Sequence, residues 1–400
     1  MSITLDDIKK STDFEVLSDG NTRTFTNRPM ISTPLKLLDV LNGGGFPIGC
    51  IVDLFGPPAA GKSSFGYEML GEFQKQYPEG LAIVIDSESS VESKRMRALG
   101  VDPEKLLILR GATMEAGYKQ ILSVLYKVKL EKPKNRVPVF ILWDSLSNTT
   151  TDAQYERENV NGGGLAEAAR INKEYLKQVN MYLDDVDAII VLINQVSSKI
   201  GMFVGSGYNE AGGNALKHNI QYRLEFSANK LSYEDGIASR GESGVKVTKN
   251  KLGPTTLEYP ISLDIRKGGV IDQVRSVLNY LYVYFIEKTG RGRYYFIPKF
   301  YKEYPKFHQY LSLNYPKFLG NFLWEDFISV VNDDRDAGGI FFDFFLLKWA
   351  DIISTSYTLQ ASVVAPYRQT LIDRIDQYAK DHNWDENYKL PEFSEENEEE

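Results

Sequence analysis

Cysteine and histidine are scarce in this 400-residue chain: one cysteine, Cys50, and three histidines, His218, His308 and His382. A single thiol excludes an intramolecular disulfide framework and fits a reducing compartment. The histidines stand far apart without cysteine partners, which argues against zinc-ligand spacing. No run approaches the ~20 apolar residues that span a bilayer. The N-terminus, Met1 to Lys10, carries Asp6 and Asp7 where a secretory signal would be basic and then apolar. These absences predict a soluble, cytoplasmic protein with no membrane partner.

Positive charge is also in deficit. The net charge of −8 would ordinarily disfavour a polyanionic partner. Residues 381–400, however, hold nine acids against the single base Lys389, so that stretch carries the whole deficit. Residues 1–380 balance 45 acids with 45 bases. The acidic balance therefore says nothing about the body of the protein.

Length predicts two or three units. Residues 1–30 are polar, with a short helix predicted over Leu5–Lys10. From 31 to 268, β-branched runs alternate with helical stretches. Strands are predicted at Cys50–Phe55, Leu81–Asp86, Leu106–Leu109, Val137–Trp143, Ala188–Asn194, Tyr222–Phe226 and Val245–Thr248. Helices are predicted at Lys62–Gln76, Glu92–Leu99, Glu115–Leu130 and Leu165–Leu183. Continuous apolar strands separated by helices indicate an α/β fold, a mostly parallel sheet with helices on both faces. Residues 269–380 are rich in Tyr and Phe and read as a smaller C-terminal domain, with a helix over Gln369–Lys380. The acidic tail, 381–400, is expected to be disordered from about 391.

The sharpest motif is Gly56-Pro57-Pro58-Ala59-Ala60-Gly61-Lys62-Ser63, which fits G-x-x-x-x-G-K-[ST] between a strand and a helix. Glycines let successive backbone N–H groups face a polyphosphate at a helix N-terminus, where the helix dipole favours anions. Lys62 is placed to reach the β- and γ-phosphates, Ser63 to ligate Mg²⁺, and Ser64 follows on the helix. Asp144 ends an apolar strand and is the expected partner of Ser63 in holding the metal. Hydrolysis needs a carboxylate to orient or deprotonate water. Glu88, just past Leu81–Asp86, and Asp86 are equally spaced for that role. A further strand ends at Asn194-Gln195 and leads into a loop, 196–213, that holds five glycines.

The segments Ile31-Ser32-Thr33, Gly43–Gly49, Lys199-Ile200-Gly201, Gly212-Gly213-Asn214-Ala215-Leu216-Lys217 and Lys246-Val247-Thr248-Lys249-Asn250-Lys251, together with the phosphate loop, resemble the bacterial RecA recombinase family. The compact N-terminus and divergent C-terminal region look more like its phage, UvsX-like branch, which would place the protein in a host-cell cytoplasm. The likeness covers roughly 31–268. It implies an ATP- and Mg²⁺-dependent filament on single-stranded DNA that pairs with and exchanges strands of homologous double-stranded DNA. It implies Glu88 as the catalytic glutamate and Gln195 as the residue coupling the γ-phosphate to DNA. Lys249 and Lys251 would reach the neighbouring subunit's ATP. Loops 155–164 and 196–213 would bind DNA, and residues 1–30 would dock the next subunit. A single-strand-binding protein and a loading mediator are the accessory partners this reading admits.

Three positions depart from the family pattern. Arg95 stands where a tyrosine stacks on adenine, Ser197 where an arginine meets phosphate, and His218 where a phenylalanine packs on the next subunit. A guanidinium can also stack on a base. Within the glycine loop, Lys199, Met202 and Phe203 combine a cation with apolar wedges, a suitable set for single strands, beside Gly201, Gly212, Gly213 and Asn214. Arg170, on the helix after the first loop, is a weaker DNA contact. In the C-terminal region Lys288, Arg291, Arg293, Lys299, Lys302, Lys306 and Lys317 interleave with aromatics. That pattern suits either a duplex-DNA surface or an aromatic core with solubilising bases. The competing function is a DNA-dependent ATPase on the same core, a ring helicase or recombination mediator, without strand exchange. The tail is expected to compete with DNA for the protein's own basic surfaces.

Overall fold

The computed structural model describes residues 24, 27–156, 164–183, 185–198, 208–210 and 213–393. The predicted helix Leu5–Lys10 lies outside them, as does most of the 1–30 arm.

Among the described residues the central sheet has eleven strands, nine of them on one continuous path: β1 (Cys50–Gly56), β2 (Leu81–Asp86), β3 (Leu106–Arg110), β4 (Val139–Asp144), β5 (Ala188–Ser198), β6 (Tyr222–Phe226), β7 (Ile237–Lys249), β8 (Glu258–Asp264) and β9 (Val270–Ile271). Their spatial order is β9-β8-β7-β6-β1-β5-β4-β2-β3. From β6 to β3 every pairing is parallel; from β6 outward to β9 every pairing is antiparallel. The helices of this half are α1 (Lys36–Asn42), α2 (Lys62–Gln76), α3 (Ser93–Ala98), α4 (Met114–Leu130), α5 (Gly164–Leu183) and α6 (Gly213–Asn219).

Alternation along each strand explains why the apolar runs are unbroken. In β4, Phe140 and Leu142 enter one core with Phe65, Leu70 and Phe73 of α2. Val139, Ile141 and Trp143 enter a second with Tyr118 and Leu125 of α4 and Ile171 and Val179 of α5. Both faces are covered, so both side-chain phases must be apolar. Thr113 caps α4 by accepting the Ala116 N–H, one of the helix's unpaired amides.

Two sequence expectations change. Strand β7 starts eight residues before the predicted Val245 because its inward positions there are Ser239, Gly241 and Ser243, which carry no apolar signal. It forms a hairpin with Lys230–Glu234 through Asp235 and Gly236, both at positive φ. The C-terminal helix spans Gln360–Asp381 and runs through Pro366, where the prediction started only at Gln369. Pro366 sits on the exposed face, as does Ser362, whose carbonyl the missing N–H leaves without a helical donor, so water can take that donor's place.

Beyond the sheet come α7 (Gln273–Leu281), α8 (Pro298–Glu303), α9 (Pro305–Asn314), α10 (Trp324–Asp336), α11 (Phe341–Ser356) and α12 (Gln360–Asp381). They surround a three-stranded antiparallel sheet of Ile286–Lys288, Arg293–Phe296 and Phe322–Leu323. Phe285, Phe296, Phe300, Phe307, Phe327, Phe341 and Phe345 are buried together, mostly tilted or edge-to-face. Lys288, Arg293, Lys299, Lys302, Lys306 and Lys317 point outward. The aromatics are thus a core and the bases a surface, which separates the two halves of the predicted interleaved pattern. This core is continuous with the one beneath α1 and α2. Trp349 donates its indole N–H to the Leu37 carbonyl at 2.9 Å, and Gln360 donates to the Leu41 carbonyl.

Candidate nucleotide site at the carboxyl ends of the parallel strands

The phosphate loop leaves β1 at Gly56, with φ 150°, and enters α2 from Gly61, with φ 95°. A Cβ at Gly56 would lie 2.3 Å from the Phe226 carbonyl oxygen, so the neighbouring strand requires glycine there. Lys62 is buried and folds back over the loop, donating to the carbonyls of Gly56 at 3.0 Å and Pro57 at 2.6 Å. Burial lowers its pKa to about 8, against the opposing pull of Asp144 and Glu88.

Asp144 ends β4, next but one to β1, with the Ser63 hydroxyl close enough to lower its pKa. Burial raises its pKa to about 6; the Ser63 hydroxyl and the Arg95 guanidinium pull the other way. A hydroxyl and a carboxylate brought close at the mouth of the loop offer an all-oxygen pair, the donor chemistry of a hard divalent cation. The residues present therefore fit Mg²⁺.

The two carboxylates left open by spacing differ in what holds them. Asp86 is buried, accepts the Ser90 and Val91 N–H groups of its own turn and pairs with Arg110 at 3.2 Å. It shapes the turn. Glu88 stands exposed within that turn. Its Oε1 accepts from Ser145 Oγ at 2.8 Å, Asn148 Nδ2 at 2.6 Å and Gln195 Nε2 at 3.2 Å. Gln195 is level with Gly56 across the β1–β5 pairing, so Glu88, Gln195, Lys62, Ser63 and Asp144 gather at one end of the sheet. Strand β5 continues to Ser198, which keeps Gln195 within the strand where sequence ended it at Asn194.

On the opposite phase of the same strand, Asn194 donates to Asp53 Oδ1 at 2.5 Å, and Arg223 of β6 pairs with Asp53 Oδ2 at 2.8 Å. The guanidinium lies 4.3 Å from the Phe55 ring centre. Sequence reading missed this buried trio, although an acid in the run Ile51-Val52-Asp53-Leu54-Phe55 was the signal. It also missed Ser145, Ser147 and Asn148, whose signal was a polar cluster directly after Asp144.

Residues 1–269 match the RecA N-terminal domain. The chain belongs to the RecA family. Among its relatives, Protein RecA of Treponema denticola is 28% identical over 286 residues, covering 68% of this chain and 66% of that protein. Protein RecA of Delftia acidovorans is 29% identical, covering 66% and 72%. Protein RecA of Mycoplasma mycoides subsp. mycoides is 30% identical, covering 68% and 73%. The chain thus spans about two thirds of the length of the first of these.

The remaining expected RecA-type residues are spread over several elements. Arg95 is half-buried on α3, close enough to lower the pKa of Asp144. Lys249 is at the register of Arg223 and Asp53, three residues short of Gly56, or about 10 Å along the strand. Because β7 runs antiparallel, Lys251 lies farther still, and neither lysine belongs to this chain's own phosphate loop. Lys249 donates to the Lys217 carbonyl at 2.5 Å, and burial lowers its pKa, helped by Lys251 and Arg223. Arg170 is exposed on α5 and pairs with Glu174 one turn on at 3.5 Å, an ordinary solvated arrangement. His218 is exposed on α6, the helix that Gly213 and Asn214 open. Lys199, Gly201, Met202, Phe203 and Gly212 lie outside the described residues, as does most of loop 155–164. Among the described residues no helix is long and apolar enough to cross a membrane.

Proposed function

We propose that this chain is an ATP-dependent homologous recombinase of the phage type. It assembles as a helical filament on single-stranded DNA and exchanges strands with homologous duplex, hydrolysing ATP in a DNA-stimulated manner. The observation that carries the proposal is the direct hydrogen bond between Gln195 and Glu88. Gln195 lies near the end of the strand that leads into the glycine loop, so one amide links the water-activating carboxylate to the proposed single-strand contact. The position of Lys249 and Lys251 away from their own loop supports a role at the next subunit's ATP, which makes assembly depend on nucleotide. Ser63 and Asp144 would hold Mg²⁺, which would neutralise phosphate charge. Glu88 would take a proton from the attacking water, and Lys62 would bind the phosphates. Loops 155–164 and 196–213 are the proposed single-strand surfaces, joined by Lys199, Met202 and Phe203; a single-strand-binding protein and a loading mediator would control access to them.

A strand-exchange assay with homologous and heterologous duplex tests this reading. The expected result is ATP-requiring product from the homologous duplex only. Hydrolysis on DNA with no joint product would instead support a ring helicase or mediator. Glu88→Gln should keep nucleotide binding and slow hydrolysis by at least ~10²-fold, the scale of losing a general base.

A further inference from the structure

The turn after Asp144 is more than a connection. It begins at buried Ser145 and rolls through a 3-10 turn, Leu146–Asn148, with Leu146 set into the core beneath it. Its far end is fixed as well: the Thr149 hydroxyl donates to the Ser145 carbonyl at 2.9 Å and accepts the Trp143 indole N–H at 2.9 Å. Ser87, beside Glu88, donates its hydroxyl to that same Ser145 carbonyl at 2.7 Å. Ser147 accepts the backbone N–H of Gln195 at 2.9 Å. One short turn therefore grips both the strand carrying Gln195 and the turn carrying Glu88.

Asn148 sits at the exposed end of this anchored turn, 2.6 Å from Glu88 Oε1. Its amide nitrogen must face the carboxylate, since the amide oxygen would meet it lone pair to lone pair. With Ser145 and Gln195, it makes three donors on one oxygen. A carboxylate oxygen has about two lone-pair directions, so Oε1 is saturated. Among the described residues all three side-chain donors land on Oε1, and only Oε2 can receive a proton.

We propose that Asn148 is a positioning residue for hydrolysis: it selects Oε2 of Glu88 as the base and fixes the plane of the carboxylate. The proposal rests on the hydrolytic reading above. In the step it serves, the water oxygen bonds to the terminal phosphorus as the bond from that phosphorus to the bridging oxygen breaks. The electron pair leaves with the diphosphate, and a water proton passes to Oε2. Of the three donors, Gln195 is the longest contact and belongs to the strand that enters the glycine loop. Asn148 and Ser145 hold the carboxylate from the anchored turn, so its aim survives when Gln195 moves.

Steady-state ATP hydrolysis by the full chain with saturating single-stranded DNA tests the assignment. Asn148→Ala should lower kcat about tenfold with KM for ATP unchanged, the pattern of a misaimed base in an intact binding site. Asn148→Asp, which sets a second carboxylate against Oε1, should be slower than Asn148→Ala. Adding Asn148→Ala to Glu88→Gln should cause no further loss, because the asparagine acts through the carboxylate. A kcat for Asn148→Ala within twofold of wild type overturns the proposal. So does an undiminished effect of the alanine in the Glu88→Gln background, which would mark a purely structural role. Wild-type turnover by Glu88→Gln alone is a separate result: it removes the hydrolytic reading, and this proposal with it.

Discussion

Lys62 and Asp144 are ionisable groups that burial pushes toward neutrality from opposite sides. Lys62 must be charged to meet phosphate, and its pKa in the free protein is lowered to about 8. Asp144 must be ionised to meet a cation, and its pKa is raised to about 6. Above pH 8 nucleotide binding has to restore a proton to Lys62; below pH 6 metal binding has to remove one from Asp144. Mg²⁺-dependent ATP affinity should therefore peak between those values and fall on both sides. Calorimetric titration from about pH 5 to about pH 9 checks this, and proton uptake at the alkaline end identifies Lys62. An affinity that is flat across the range would contradict it. The site was legible in sequence where chemistry demands a residue type at a fixed spacing, as in Gly56 to Ser63. It was illegible where only the fold decides, as between Asp86 and Glu88. Both follow the same strand; what separates them is that Asp86 is consumed by its own turn and Arg110.

The strands illustrate why some elements declare themselves and others do not. β1, β4 and β5 are covered on both faces, so their residues form apolar runs that the sequence displays openly. β7 turns serine and glycine inward, and α11 is apolar nearly all round, so neither shows a period. Asp53 is the exception within a transparent strand, and its partner Arg223 is 170 residues away. A buried pair of this kind is costly to break from one side, because the bare charge is left behind. Arg223→Met should destabilise the protein by about 3–5 kcal/mol. Adding Asp53→Leu should recover part of that loss, as read from urea melts. A second substitution that merely adds its own loss would show that the two charges do not depend on each other.

At the scale of the whole molecule, packing extends farther along the chain than composition suggested. Disorder was expected from about 391, yet Phe393 stacks on Tyr301 with ring centres 5.6 Å apart and meets His308 edge-on at 6.0 Å. The Tyr388 hydroxyl lies 2.6 Å from His308 Nδ1. This strap brings the chain, as far as Phe393, beside α8 and α9, where Lys299, Lys302 and Lys306 are exposed. Ending the chain at Phe393 removes five acids without disturbing the strap. Duplex affinity should then rise several-fold at low salt, with the gain fading as ionic strength increases. No change in a salt series of duplex titrations would leave the tail a solubilising role only.

The single core shared by the sheet and the C-terminal helices has one more consequence. The match to the RecA N-terminal domain ends at residue 269, but the molecule has no seam there. A Cβ at Gly43, just after α1, would lie 2.3 Å from the Val363 carbonyl oxygen of α12, and Trp349 is hydrogen-bonded to the Leu37 carbonyl. The part on either side of residue 269 completes the other's interior. A fragment cut at residue 269 would carry the whole phosphate loop and yet open Leu37, Leu38 and Leu41 to water. Where the domain match ends and where the protein can be divided are, in this chain, different places.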